Sequence, residues 1–384
     1  MKVVIAIDSF KGSLSTFESG RAVREAAETV FGNVVADICP LADGGEGTVD
    51  AVVSSLGGEI VKVDVTGPLG DRVLAKYGFV RQRRLAVIEM AEAAGLTLVP
   101  ADKRDPKITT TYGVGELILH AIKENGCRSF LIGIGGSATS DGGVGMLQAL
   151  GFEFLDGNDV AVGRGAAELG RIERVRIDGV AREIRECEFN IACDVENPLC
   201  GERGASYVYA PQKGADERDV ALIDGCLSHY ADITAKVFGK DMRDEKGAGA
   251  AGGMGFAFLS YLGGRLQSGI GLVIEATGLE ERIKNADLVV TGEGRLDRQS
   301  AMGKAPVGVA RVAKKHGKMC IAFSGCVTDG AEKCNDEGID AYFPILQTPC
   351  TLEEAMDKTS AYKNLEKTAT QVFRLINVTK NIVF

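Results

Sequence analysis

The sequence predicts an α/β fold built on largely parallel sheets, and three observations carry that reading. Short apolar runs alternate with amphipathic helical stretches along the chain. Glycines gather where the apolar runs end: 50 residues are glycine, about 13% against a usual level of about 7%. The length of 384 residues favours two domains over one.

The elements follow in order. Val3–Ile7 reads as a buried strand, followed by a polar loop and a helix over Phe17–Phe31. Val34–Cys39 is a second strand, and Asp43–Gly47 opens a helix that runs to about Leu56. Glu59–Val65 is a strand that meets a Gly67-Pro68-Leu69-Gly70 turn. Val73–Val80 and Leu85–Met90 form a strand pair linked by the basic loop RQRR. Thr111–Glu124 is helical, Ser129–Ile134 a strand, and Gly142–Leu150 a helix after a glycine loop. Asn190–Cys193 is a strand that runs onto Asp194, and Asp216–Phe238 is mostly helix. Ala286–Thr291 is a strand ending in a GEGRLD loop, followed by a helix over Pro306–His316 and a strand over Met319–Ser324. A short strand over Gly338–Phe343 precedes a mostly helical Leu352–Ile376.

Composition excludes several classes. Hydrophobic residues make up 45% and charged residues 25%, the balance of a soluble globular protein. The net charge of −9 argues against general nucleic-acid binding, though not against a local basic pocket. Ten cysteines are scattered without a CxxC pair and only three histidines occur, so no zinc site is expected. The thiols read as free and buried, as in a reducing cytoplasm. The opening MKVVIAIDSF meets an acid at once and reads as a first strand, not a signal peptide. No run reaches the roughly 18 apolar residues that a membrane span needs.

Five loops carry candidate chemistry, because ligands of open α/β sheets bind outside the carboxyl ends of strands. In Asp8-Ser9-Phe10-Lys11-Gly12-Ser13, Lys11 can set a point charge on a carboxylate or phosphate, or lie solvated beside a helix cap. In Asp43-Gly44-Gly45-Glu46-Gly47, two acids bracket a glycine pair before a helix. That suits an anion bridged to Mg²⁺, the plain alternative being an N-cap by Asp43. Gly133–Gly143 (GIGGSATSDGG) has the parts of a phosphate cradle without the Walker A lysine or a GxGxxG fingerprint. Asp194, after a buried strand, can take a proton from a substrate hydroxyl or cap a turn. In Gly292-Glu293-Gly294-Arg295-Leu296-Asp297, the acids can hold Mg²⁺ and Arg295 can clamp a carboxylate or a transferring phosphate, against a salt-bridged turn. A further glycine run, GAGAAGGMG at Gly247–Gly255, suits either a ligand or close packing. No Cys/His or Ser/His arrangement supports a hydrolytic nucleophile. Phosphoryl transfer, which needs positioning, metal and cations, suits these loops better.

Taken together, the motifs resemble the type 1 glycerate kinases. The runs IDSFKGSLS, ADGGEGTVDA, AVIEMAEAAGL, GIGGSATSDGG, ACDVENPL, PQKGA, GAGAAGGMG and ADLVVTGEGRLD span nearly the whole chain in that family's order. Ile7 stands where the family often has proline, and Ser140 where it often has asparagine; neither removes a charged group. The resemblance implies two α/β domains with the active site in the cleft between them. A discontinuous, Rossmann-like first domain would span 1–76 and 260–384, with an inserted domain at 77–259. It implies ATP and Mg²⁺ as cofactors and D-glycerate as substrate, usually giving 2-phosphoglycerate.

The resemblance puts weight on Asp8, Ser9, Lys11, Asp43, Glu46, Ser137, Asp141, Asp194, Glu293, Arg295 and Asp297 without giving their roles; on the chemistry of the loops, substrate binding is expected at Asp8, Ser9, Lys11 and Arg295, with Lys11, Asp194 and Arg295 catalytic. Phosphates would meet Gly44, Gly45, Gly135, Gly136, Ser137, Asp141, Gly292 and Gly294. Metal would be held among Asp43, Glu293 and Asp297. Net charge and the lack of a long apolar run argue against a nucleic-acid or membrane partner, and a homodimer is left open. Formation of 3-phosphoglycerate, or a kinase or dehydrogenase for another small hydroxy acid, is the alternative; a dehydrogenase would need a nicotinamide fingerprint that the sequence lacks.

Overall fold

The computed structural model describes residues 1–379, which divide into two compact units. The first comprises Met1–Asp43, Ser54–Leu56 and Val273 onward; the second comprises Gly44–Val53 and Gly57–Leu272. Strands β1 (Lys2–Ile7) and β2 (Val35–Ile38) belong to the first unit. β3 (Glu59–Thr66), β4 (Arg72–Val80), β5 (Leu85–Glu89), β6 (Ser129–Gly133), β7 (Glu153–Leu155), β8 (Arg174–Arg176), β9 (Glu188–Ala192) and β10 (Arg265–Gln267) belong to the second. β11 (Leu288–Leu296), β12 (Cys320–Val327) and β13 (Ala341–Pro344) complete the first.

In the first unit the sheet order is β13-β12-β11-β1-β2, and every pairing is parallel. Val3, Ile5 and Ile7 alternate onto one face, where they meet Leu288, Val290 and Phe323. Two helices cover that face, Thr16–Phe31 through Ala22, Val23, Ala26 and Ala27, and Lys358–Thr379 through Leu365, Ala369 and Phe373. The first of these starts at a Ser15–Glu18 capping box, which satisfies two otherwise orphaned N–H groups. Truncating a side chain placed like Phe373, fully buried in this cluster, costs about 3–5 kcal/mol. From β1 the strand order runs one way to β2, and from β11 it runs the other way to β13. The β1/β11 boundary is therefore a topological switch point, where open parallel sheets bind ligands.

In the second unit the order is β10-β9-β6-β5-β4-β3. β3, β4 and β5 form an antiparallel meander, whereas β5, β6, β9 and β10 pair in parallel. The register sets Glu89, Gly133, Ala192 and Gln267 side by side, so four strands end level. β7 and β8 form a small separate ladder.

Three expectations change here. The GEGRL segment is not a loop: β11 continues to Leu296, with Glu293 opposite Ser324 and Arg295 opposite Cys326 of β12. Gly292 and Gly294 are thus strand residues. Gly292 is buried between Ile7 and Phe323, and its carbonyl accepts the Asp8 N–H at 2.9 Å. Its backbone is committed to the sheet rather than to a phosphate. The helix expected to open at Asp43 starts at Thr48, with Gly47 as its N-cap and no side-chain cap. Asp43 and Glu46 therefore do not serve as its capping box. The contact division also puts residues 57–76 with the second unit, because β3 pairs along its whole length with β4.

Candidate functional site

In the first unit, Asp8 stands directly after β1 at the switch point. The residue is 5% exposed, and its carboxylate accepts the Ser9 N–H at 2.7 Å. Burial pushes it up to about 7, and the charges of Asp43 and Glu293 push the same way against the Ser9 N–H and Lys11. Lys11 is well exposed, with Nζ 3.8 Å from an Asp43 carboxylate oxygen, an ion pair of small worth by itself. Glu293 accepts the Ser300 hydroxyl. Burial raises its carboxyl, and Asp297 and Asp43 add to the rise while Ser300 and Lys304 oppose it.

Asp297 behaves differently. Although burial opposes it, the Ser300 and Gln299 N–H groups with Lys304 and Arg295 hold its carboxyl below the usual range. Arg295 Nε donates to Asp297 Oδ2 at 3.1 Å, and its side chain is 61% exposed. Asp8, Asp43, Glu293 and Asp297 thus act on one another electrostatically while two cationic side chains reach solvent. Such a group of carboxylates favours a proton or a cation. Among the described residues, no three His, Cys, Asp or Glu side chains come together as a metal-binding group. Mg²⁺ does not require such a group, since it is usually held by one or two carboxylates with phosphate oxygens and water completing the shell.

In the second unit, the Gly44–Gly47 segment lies over the level strand ends. A Cβ on Gly133 would meet the Gly44 carbonyl oxygen at 2.0 Å, and one on Gly44, at φ 86°, would meet Ala192 Cβ at 2.4 Å. Only glycine at both places allows this approach. The helix Thr48–Leu56, lacking a cap of its own, takes one from Glu89, whose Oε1 accepts the Val49 N–H at 2.8 Å. Glu89 is 7% exposed, and burial pushes its carboxyl up to about 7. Asp194, after β9, is exposed and accepts the Gly269 N–H at 3.0 Å, at the start of the helix Gly269–Thr277.

Loop 134–143 divides into two parts. Gly135 and Gly136 are exposed, while Ser137 through Gly143 are buried. Asp141 is fully buried and accepts from Thr111 N, Thr111 Oγ1, Gly143 N and Gly145 N at 2.8–3.2 Å. Burial raises its carboxyl, and these donors oppose the rise. Expected to face a phosphate, it instead braces the loop from inside. The glycine run at 247–255 is a packing feature: Ala251, Gly252 and Gly253 leave helical geometry, and a Cβ on Gly252 would meet the Thr139 carbonyl oxygen at 2.1 Å.

Two buried charges escaped the sequence reading. Glu89 sits within AVIEMAEAAGL, where an acid closing an apolar run was a signal. Lys213 sits within PQKGA and is 2% exposed, with Nζ donating to Ser137 Oγ at 2.8 Å and to the Thr139 carbonyl at 2.5 Å.

Known proteins share both the sequence and this architecture. The model of the family described as "Glycerate kinase family" matches residues 3–377. A "Glycerate kinase" of Haemophilus influenzae is 46% identical over 98% of this chain and 99% of its own length. A "Glycerate 2-kinase" of Escherichia coli K12 is 47% identical over 95% of each. A crystal structure described as glycerate kinase 2 from Salmonella typhimurium LT2 covers 100% of both chains at 43% identity, with a TM-score of 0.92.

Proposed function

This chain belongs to the glycerate kinase family, and we propose from that premise that it transfers the γ-phosphoryl group of ATP to D-glycerate, giving 2-phosphoglycerate. The observation that carries the reading is the set of mutually repelling acids at the β1/β11 switch point, with Lys11 and Arg295 reaching outward beside it. That set suits a magnesium–phosphate group, and phosphoryl transfer is mostly positioning and charge neutralisation.

The proposal assigns roles to each unit. In the first, one or two of Asp43, Glu293 and Asp297 would supply the carboxylates for Mg²⁺, which when bound would neutralise phosphate charge. Asp8, Ser9, Lys11 and Arg295 receive the substrate, Arg295 through its planar fork for a carboxylate. In the second, Gly44, Gly45, Gly135, Gly136 and Ser137 meet phosphate oxygens, and Asp194 takes the proton of the attacking hydroxyl. Asp194 suits that role because it stands exposed just after β9, beside the level strand ends where the phosphate-binding glycines are placed.

Among the described residues no helix is long and apolar enough to cross a membrane, and we place the enzyme in the cytoplasm. The test is release of ADP that requires both ATP and D-glycerate, with phosphorus NMR of the product. A signal from 3-phosphoglycerate would overturn the assigned position of transfer, and glycerate-independent ADP release would overturn the substrate.

A further inference from the structure

Lys213 is an ammonium group with almost no access to water, placed under a loop that presents exposed glycines above it. The 3₁₀ turn Pro211–Lys213 points it inward. Burial lowers its affinity for a proton, to a value of about 7, and the nearby charge of Asp141 opposes that shift. A buried ammonium is costly unless it is used. Its two hydrogen bonds go to the same short loop, one to Ser137 Oγ and one to the Thr139 carbonyl.

The loop is also held by bonds that do not involve Lys213, among them Thr109 Oγ1 donating to the Ala138 carbonyl at 2.9 Å. Gly136 O accepts the Leu96 N–H and Ala138 N donates to Ala94 O, each at 2.9 Å. Asp141 secures its far end. Lys213 is thus not needed to close the loop. What it alone decides is the direction of the Ser137 hydroxyl. An ammonium group has only donors, so Ser137 Oγ must accept from it, and the Ser137 proton must go elsewhere. Ser137 lies next to the exposed Gly135–Gly136 tip and keeps 8% exposure.

We propose that Lys213 is a positioning residue for oxyanion binding: by donating to Ser137 Oγ it commits the Ser137 proton to a phosphate or carboxylate oxygen of a bound substrate. The inference rests on the reading of residues 135–137 as part of the oxyanion site. When Lys213 loses its proton, the neutral amine gains a lone pair, the Ser137 hydroxyl can turn to donate inward, and the outward donor is lost.

The experiment uses calorimetric affinities of the full chain for ATP, ADP, inorganic phosphate and D-glycerate, measured separately, for the wild type, Ser137→Ala, Lys213→Met and the double variant. Each single variant is expected to weaken the same probe about tenfold, the worth of one hydrogen bond to a charged group, and the double variant to be no weaker than either. Loss confined to nucleotide and phosphate assigns the oxyanion as phosphate; loss confined to glycerate assigns it as carboxylate. If Ser137→Ala binds every probe like wild type, the reading of the loop as an oxyanion site fails, and the inference with it. If Ser137→Ala weakens binding but Lys213→Met does not, or if the double variant's loss is the product of the two, the role of Lys213 alone is overturned.

The unmodified lysine gives an independent arm should Lys213→Met not fold. The ratio of wild-type to Ser137→Ala affinity cancels the ligand's own titration. It is expected to shrink as pH rises through about 7, and a ratio constant across that range overturns the proposal.

Discussion

Gly133→Ala places one methyl group where the second sheet meets the Gly44 segment. The added Cβ would lie 2.0 Å from the Gly44 carbonyl oxygen, whereas ordinary contact begins at 3.4 Å. The segment must therefore retreat by about 1.4 Å, the difference between those two distances. Strand β6 cannot retreat instead, because it is hydrogen-bonded on both sides, to β5 and to β9. Overpacking of this kind costs about 1–3 kcal/mol of stability, and the domain should still fold. Function is more sensitive, since a misplacement of about 1 Å can cost about 10²-fold in rate.

The expected result is a fall in kcat/KM of about a hundredfold, with the unfolding transition cooperative and moved by only a few degrees. ADP release in a coupled assay and thermal unfolding followed by circular dichroism measure the two quantities. Wild-type kcat/KM in a folded Gly133→Ala protein would refute the argument, because the Gly44 segment would then have moved without consequence for phosphate binding.

Three further expectations concern single side chains. Asp194→Asn should lower kcat by about 10²–10⁴-fold if Asp194 is the base, with KM for ATP little changed in steady-state kinetics; an unaltered kcat removes it from that role. Ser300→Ala takes away the hydroxyl that Glu293 accepts. It should raise the Mg²⁺ concentration for half-maximal rate by about 10–100-fold, the usual penalty for losing a partner of a metal ligand; an unshifted Mg²⁺ titration counts against Glu293 as a ligand. Glu89 has a folded-state value of about 7 against an ordinary 4.5, so the folded chain holds the extra proton between those limits. Stability from this group is present below 4.5 and lost as pH rises through about 7. Glu89→Gln keeps an acceptor for Val49 and removes the titration. The difference in melting temperature, variant minus wild type, should therefore grow across that interval, and a constant difference would contradict the assignment.

How much of this could be read from residues alone depends on where each residue's meaning resides. The placement of acids and glycines at strand ends was legible because it is local: Asp8 follows an apolar run, and an acid there stands at the end of a parallel sheet whatever surrounds it. The strand character of GEGRL was not, because glycines and charges are poor strand formers and only the pairing of Glu293 with Ser324 and Leu296 with Val327 holds them extended. Asp141 looked like a ligand-facing acid because its sequence neighbours are small and polar. Its donors include Thr111, thirty residues away, and no periodicity reports that.

Lys213 shows the same limit from the opposite side. A lysine between proline and glycine reads as a solvated turn residue, since lysine is rarely buried without a partner. Its partners, Ser137 and the Thr139 carbonyl, lie more than seventy residues earlier in the chain. The glycine loop thus reads in sequence as a phosphate cradle without the lysine that a Walker A sequence supplies from within. The fold supplies a lysine from a distant turn, behind the loop instead of at its end, where it can reach an anion only through the hydroxyl of Ser137.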